Sequence, residues 1–96
     1  MAAYLVVDYE VHDDGFRAYG QAVRPLIAQH GGVYRAATRE PAVLEGDPRP
    51  RGVALIEFPS MERLRAFWDS PEYAAAKPLR AGKATFTVRA VDGQSS

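Results

Sequence analysis

The chain has 96 residues, enough for one small domain that leaves a large share of its surface in water. Its 12 basic residues balance its 12 acidic residues, so it lacks the net positive field that draws proteins to nucleic acid or to anionic membranes. It contains no cysteine, which excludes disulfides, thiolate nucleophiles and zinc–thiolate sites.

The N-terminal segment alternates in a way that predicts a strand with two distinct faces. One face carries Leu5, Val7, Tyr9 and Val11, and the other carries Tyr4, Val6, Asp8 and Glu10. The segment has no basic stretch followed by an apolar stretch and a cleavage site, and no run long enough to span a membrane. We therefore expect a cytoplasmic protein that contacts neither nucleic acid nor a membrane.

A first helix is expected after Asp13 or Asp14, either of which can accept hydrogen bonds from the free amides of a first turn. Apolar residues then recur at helical spacing: Phe16, Tyr19, Val23, Leu26 and Ile27. Gly31 and Gly32 are expected to end the helix, since glycine adopts a left-handed backbone without steric cost. Pro25 is expected to bend it or to restart its last turns.

The remaining segments complete a recognisable order of elements. Strands are expected at 33–38 with 42–45 as one broken strand or hairpin, at 53–58 and at 83–91, with a helix capped by Ser60 before the last strand. The order strand, helix, strand, strand, helix, short helix, strand predicts an α+β fold, the ferredoxin-like split βαβ sandwich with an antiparallel sheet. Residues 1–92 form a single domain in this interpretation, and residues 93–96 form a polar tail.

The junction between the last two helices has two interpretations. Ser70 can cap the short helix, Pro71 suits its first position, and Glu72 suits the positive end of its dipole. The rings of Trp68 and Tyr73 can instead close over a small ligand. We favour helix initiation as the main role, and one residue can serve both.

Helices that cover one face of the sheet leave the other face bare. That face carries an apolar patch, Tyr4, Val6, Val53 and Leu55, which predicts a homodimer. It also carries Asp8, Glu57 and Arg89, and we expect Asp8 to lie between Glu57 and Arg89. Such a cluster can hold a polar ligand or perform acid–base chemistry, because one carboxylate raises the pKa of another. We favour an ion-pair network at the interface, since such networks also perturb pKa values.

His30 has two interpretations as well. In the last turn of the first helix a cationic imidazole stabilises the helix dipole. As a catalytic base it would need a partner. We expect the third strand to run parallel to the first, which would place Glu57 at the edge opposite His30. The partner would then be Arg51 or Arg80, whose guanidinium can hold a carboxylate or a phenolate.

Metal and cofactor sites are not expected. His12 shares a strand face with Asp8 and Glu10, but a flat strand spreads the three over about 13 Å. The sequence has no G-x-S-x-G elbow, phosphate-binding glycine loop or dinucleotide fingerprint.

Several motifs occur together: HGG at 30–32, LEGD at 44–47, PR at 50–51, IEFPS at 56–60 and SPEY at 70–73, followed by Arg80. In this combination the chain resembles, over nearly its whole length, the short bacterial family called domain of unknown function 1330. The resemblance implies a ferredoxin-like fold of the dimeric α/β-barrel type and no established activity. It departs from the pattern at Pro48, where similar sequences often place a tryptophan.

Two functions from different classes follow. The chain either binds or converts a small organic acid or phenol without a cofactor, as dimeric α/β barrels of similar architecture do, or it is a non-catalytic dimeric module. The candidate catalytic residues are His30, Asp8 and Glu57, and the candidate ligand-binding residues are Arg51, Trp68, Tyr73, Arg80 and Arg89. An open cavity beside His30, Trp68 and Tyr73 would favour the first function, and a filled core would favour the second.

Overall fold

The computed structural model describes residues 1–49 and 51–94. Its elements are β1 (Ala3–Val11), α1 (Phe16–Gln29), β2 (Val33–Thr38), β3 (Gly52–Phe58), α2 (Met61–Trp68), α3 (Pro71–Ala76), a 3₁₀ helix (Lys77–Arg80) and β4 (Ala84–Asp92). Pro50 of the PR motif and residues 95–96 of the predicted tail lie outside the described residues. None of the helices in the described ranges is long and apolar enough to cross a membrane.

The four strands form one sheet in the order β2-β3-β1-β4, and every neighbouring pair is antiparallel. This order confirms the predicted α+β ferredoxin-like fold. The expected parallel direction of the third strand is wrong, because β3 runs antiparallel to β1 and places Glu57 opposite Tyr4. Glu57 also pairs with Val33, the first residue of β2. It therefore lies at the end of the strands near which α1 ends, and not at their opposite end.

One face of the sheet is covered by the helices and forms the core. Its strand residues are Leu5, Val7, Ala54, Ile56 and Phe58, all buried, as the period of two predicted. The helices contribute Tyr19, Val23, Ile27, Leu64 and Phe67. The side chains of Tyr4, Val6, Val53 and Leu55 lie on the other face and are only partly buried in the single chain.

The helix starts differ in how they are capped. Ser60 caps α2 as predicted, since its Oγ accepts a hydrogen bond from the Arg63 amide at 3.1 Å. The predicted carboxylate cap of α1 is wrong. Its N-cap is Gly15, which has no side chain to form a capping bond. The Asp13 carboxylate accepts instead from the Gly15 amide at 2.7 Å, before the first helical residue.

Two further expectations concern α1 and the loop after β2. Gly31 has a φ of 81° and ends the helix as predicted. Of the two expectations for Pro25, the restart is wrong, because α1 continues through it, and the bend stays a prediction. Pro25 is exposed, so water can satisfy the carbonyl that its missing amide leaves free. The predicted strand at 42–45 is also wrong, since the described residues between Thr38 and Gly52 form no strand and Leu44 is 96% exposed.

Candidate functional site

A cleft of about 110 Å³ lies between the covered face of the sheet and the helices. Its walls combine aromatic and aliphatic side chains. Among the aromatic ones, Tyr9 and Phe86 come from the sheet, Phe16 and Tyr19 from α1, and Trp68 and Tyr73 from the α2–α3 junction. A concave apolar space with a few polar groups is the usual form of a small-molecule site. The cleft is therefore the candidate site of this chain.

The wall formed by α1 and the sheet is a contiguous cluster of rings. The Phe16 centroid lies 6.0 Å from that of Tyr9, 5.7 Å from that of Phe86 and 5.8 Å from that of Tyr19. Phe16 and Tyr19 are three residues apart on the helix and therefore share the face turned to the sheet. Rings packed at these separations attract one another and form an apolar wall with which an aromatic ligand can make ring contacts.

The cleft contains one buried pair of hydroxyl groups. The Tyr19 and Tyr73 oxygens lie 3.0 Å apart and form a hydrogen bond, and the two residues are 7% and 2% exposed. Burial raises the pKa of Tyr19 well above its ordinary value, and the hydrogen bond to Tyr73 raises it further. Tyr19 is therefore protonated at neutral pH and acts as a hydrogen-bonding group rather than as a base.

Ser70 positions the second tyrosine of this pair. Its Oγ accepts from the Tyr73 amide at 3.1 Å, donates to the Phe67 carbonyl at 2.8 Å and so joins the end of α2 to the start of α3. The Trp68 ring packs against the Tyr73 ring with centroids 4.9 Å apart. Helix initiation at SPEY is confirmed, and the same turn places Trp68 and Tyr73 in the wall of the cleft.

Arg80 packs on the outside of two rings of the cleft. Its guanidinium carbon lies 4.2 Å from the Phe86 centroid and 5.5 Å from the Tyr19 centroid. Its Nε is buried and finds no hydrogen-bond partner within the described part of the chain. A buried donor without a partner is costly, so this Nε is a favourable position for an acceptor such as a carboxylate or phenolate oxygen.

One end of the cleft lies between α1 and β2. Gly20 and Arg24 line it from the helix, and Tyr34 and Ala37 line it from the strand. The Arg24 guanidinium carbon lies 4.8 Å from the Tyr34 centroid, so the two elements face each other here. Arg24 is exposed, which makes this end an opening with a positive charge.

The polar cluster predicted on the open face does not form as expected. Asp8 accepts from Arg89 at 3.1 Å, whereas Glu57 accepts from Arg35 at 3.2 Å. The expectation that Asp8 lies between Glu57 and Arg89 is wrong, because the antiparallel register places Asp8 opposite Val53. Asp8 and Glu57 are thus separated by about four residues along the sheet, roughly 13 Å, which is too far for the two carboxylates to share one site.

The remaining two candidates lie outside the aromatic cleft. His30 is the C-cap of α1, and its Nδ1 lies 2.9 Å from the Leu26 carbonyl, so an Nδ1–H donates to the end of the helix. Its ring packs 5.8 Å from that of Phe67 and is not part of the cleft wall. Arg51 lines a separate polar pocket of about 100 Å³ with Asp8 and Thr85. A helix-end role accounts for the hydrogen bond of His30, and packing accounts for its contact with Phe67. The role of His30 as a base stays a prediction.

The model of a family described as domain of unknown function (DUF1330) matches residues 2–94. The chain belongs to the DUF1330 family. This confirms the resemblance carried by the HGG, LEGD, EFPS and SPEY motifs. A search of the curated proteins finds no match.

Solved structures similar to this DUF1330 protein share its fold at low identity. A protein of unknown function from Rhodopseudomonas palustris is 15% identical, with a TM-score of 0.77 over 99% of this chain and 84% of that chain. SnoaB, a cofactor-independent oxygenase from Streptomyces nogalater, is 12% identical, with a TM-score of 0.67 over 99% and 95%. A dimeric protein of unknown function and ferredoxin-like fold from Bacteroides fragilis is 18% identical, with a TM-score of 0.60 over 96% of each chain. At these identities the likeness shows the fold alone.

The sequence patterns predict no site role for three residues that line the cleft of this DUF1330 protein, Tyr19, Tyr34 and Arg24. Tyr19 was assigned only to the core, although a tyrosine on an apolar stripe needs a buried partner for its hydroxyl and so signals a polar contact. Tyr34 and Arg24 gave no such signal, because an exposed arginine on a helix and a tyrosine on an edge strand are ordinary. Their contact depends on how α1 packs against β2.

Proposed function

We propose that this DUF1330 protein is a homodimer that binds or converts a small phenol or aromatic acid, without a cofactor, in the cleft between its sheet and its helices. The observation that carries the proposal is the buried Tyr19–Tyr73 hydroxyl pair inside a cleft that is otherwise aromatic and aliphatic. The volume of about 110 Å³ leaves room for no more than one ring, since a closed apolar cavity of about 150 Å³ binds a single benzene.

The hydroxyl pair gives the cleft its chemical preference. In a Tyr–Tyr hydrogen bond one hydroxyl donates to the other, which leaves the second proton and several lone pairs available. That free proton can be donated to the oxygen of a phenol or a carboxylate. Arg24 at the opening supplies a positive charge for an acidic substituent.

Conversion of the bound molecule would rely mainly on its own reactivity. Among the described residues that line the cleft there is no carboxylate and no imidazole, and Tyr19 is protonated at neutral pH. The protein can therefore orient a ring, exclude water and stabilise a developing oxyanion. SnoaB, which shares the fold, is a cofactor-independent oxygenase. By this fold analogy, oxygen consumption with a bound phenol is the activity to assay.

The homodimer would form through the open face of the sheet. Val6 lies directly across from Leu55, and Tyr4 and Val53 flank them on the same face. The ion pairs Asp8–Arg89 and Glu57–Arg35 lie on that face and would border this apolar patch. The dimeric Bacteroides fragilis protein of the same fold supports self-association. Residues 1–92 would form one domain of this dimer.

A non-catalytic dimeric module is the second candidate. It is favoured by the open face itself, where both carboxylates proposed for acid–base work are held in ion pairs. Ligand binding in the cleft separates the two candidates, since a purely structural module has no need of an open aromatic cleft.

Thermal shift measurements test the proposal. Phenol, benzoate and 4-hydroxybenzoate should raise the melting temperature, because a ligand that binds only the folded state stabilises it, whereas cyclohexanol should have little effect. Tyr73→Phe removes the buried hydroxyl and should weaken the shift. Tyr4→Phe removes a hydroxyl from the open face and is the matched control. If none of the aromatic probes shifts the wild type, the module becomes the better explanation.

A further inference from the structure

The eight glycines of the chain all lie in the described ranges, and seven of them have either a positive φ or neighbouring atoms close to the position of a Cβ. Three adopt a positive φ that favours glycine, and at four others a Cβ would meet neighbouring atoms at 3.0 Å or less. The first group is Gly31, Gly46 and Gly82, and the second is Gly15, Gly32, Gly52 and Gly93. Gly20 belongs to neither group, because its φ is not positive and a Cβ there would meet nothing within 4 Å.

Glycine is also an unfavourable residue for the stability of the helix at position 20. It lies inside α1, where glycine is less favourable than alanine because it loses more backbone freedom on folding. Neither backbone conformation nor packing against the protein explains it. The space beside it belongs to the aromatic cleft, which Gly20 lines together with Phe16 one turn before it and Arg24 one turn after it.

We infer that Gly20 determines the size of the ligand that enters the cleft, and that the ligand is a single aromatic ring carrying a hydroxyl and a carboxylate. The inference rests on the proposed function. The inference also explains why the helix backbone carries no side chain at this position. The flat face of a ring can lie against Gly20, whereas a side chain there would occupy the space of the ring.

The polar and charged groups along the cleft indicate which substituents the ligand carries. The Tyr19–Tyr73 pair is buried and can bond to a hydroxyl. The exposed guanidinium of Arg24, held over the Tyr34 ring at the opening, can bind a carboxylate that remains in contact with water. Among the hydroxybenzoates, 4-hydroxybenzoate has these two groups at opposite ends of a single ring, so it is the probe of choice.

Titration calorimetry with 4-hydroxybenzoate on three variants tests the inference. Gly20→Ala should weaken binding by about tenfold or more, the usual effect of one misplaced carbon in an apolar pocket. Gly20→Leu should abolish binding. Ala18→Leu adds similar bulk to α1 at an exposed position outside the cleft wall and should leave binding unchanged.

The stability of the same variants separates occlusion from misfolding. Gly20→Ala should melt at a higher temperature than the wild type without ligand, since alanine favours the helix and its Cβ meets open space. A more stable variant that binds more weakly supports the inference, and it remains decisive if Gly20→Leu does not fold. Unchanged affinity in Gly20→Ala, or in a folded Gly20→Leu, overturns it while the proposed function stands. A wild type that binds none of the aromatic probes overturns both.

Discussion

The hydroxyl oxygens of Tyr19 and Tyr73 lie 3.0 Å apart, although 54 residues separate them in the chain. Tyr19 comes from the apolar stripe of α1, and Tyr73 comes from the first turn of α3, whose start is fixed by Ser70. Their hydrogen bond therefore joins the two helices that form opposite walls of the cleft. It is both a packing contact and the main polar feature of the candidate site.

Removal of both hydroxyls should destabilise the protein by less than the sum of the two single removals. Tyr73→Phe leaves the buried Tyr19 hydroxyl without its partner, which should lower the free energy of unfolding by about 1–3 kcal/mol. The double variant Tyr19→Phe with Tyr73→Phe removes both polar groups and should lose less than the sum of the single variants. Urea denaturation measures all three, and strictly additive losses would show that the hydroxyls do not interact.

Alkaline pH should destabilise the fold through the same pair. Because burial raises the pKa of Tyr19, the folded state keeps a proton that the unfolded chain loses near pH 10. The contribution is fully present below about pH 10 and is lost as pH rises beyond it, at no more than about 1.4 kcal/mol per pH unit for one group. Burial also raises the pKa of Tyr34, which acts in the same direction. Between pH 8 and pH 11, the free energy of unfolding should fall less steeply with pH in Tyr19→Phe than in the wild type. An unchanged slope would contradict this assignment.

The local patterns were sufficient for most of the fold. Alternation in β1 and β3 predicted which side chains the helices cover, because that period follows from strand geometry alone. Ser60 and Ser70 predicted two helix starts, because the capping bond reaches only a few residues along the chain. These features depend on neighbours in sequence and not on the packing of the whole molecule.

The candidate site was predicted only in part, because it depends on long-range geometry. Trp68 and Tyr73 were predicted, since they adjoin a helix start that the sequence marks. The position of Glu57 depends on the direction of β3 relative to β1. Because that direction was predicted wrongly, Glu57 was expected at the opposite end of the strands. The partnership of Tyr19 with Tyr73 depends on how two helices pack, for which the sequence has no local signal.

Ser70→Ala should reduce stability while largely sparing the cleft. The substitution removes a hydrogen bond from the Tyr73 amide and one to the Phe67 carbonyl, and the usual loss at an N-cap is about 1 kcal/mol, up to about 2. Thermal denaturation measures the loss, and the melting-temperature shift with 4-hydroxybenzoate measures binding. Ser70→Thr keeps the hydroxyl and is the matched control. A variant of unchanged stability that no longer binds would show that Ser70 contacts the ligand and that capping is its lesser role.

Leu55→Glu should convert the proposed homodimer into a monomer. Leu55 lies between Val6 and Ala36 in the register of the sheet, with its side chain on the open face. A carboxylate there is hydrated in the monomer but would lose its water without a partner in an apolar interface, which is strongly unfavourable. Sedimentation velocity measures the mass, and far-UV circular dichroism shows whether the fold is kept. Leu44→Glu, at a position 96% exposed in the loop after β2, introduces the same charge away from this face and should remain dimeric. If Leu55→Glu is well folded and still dimeric, the interface lies elsewhere on the chain.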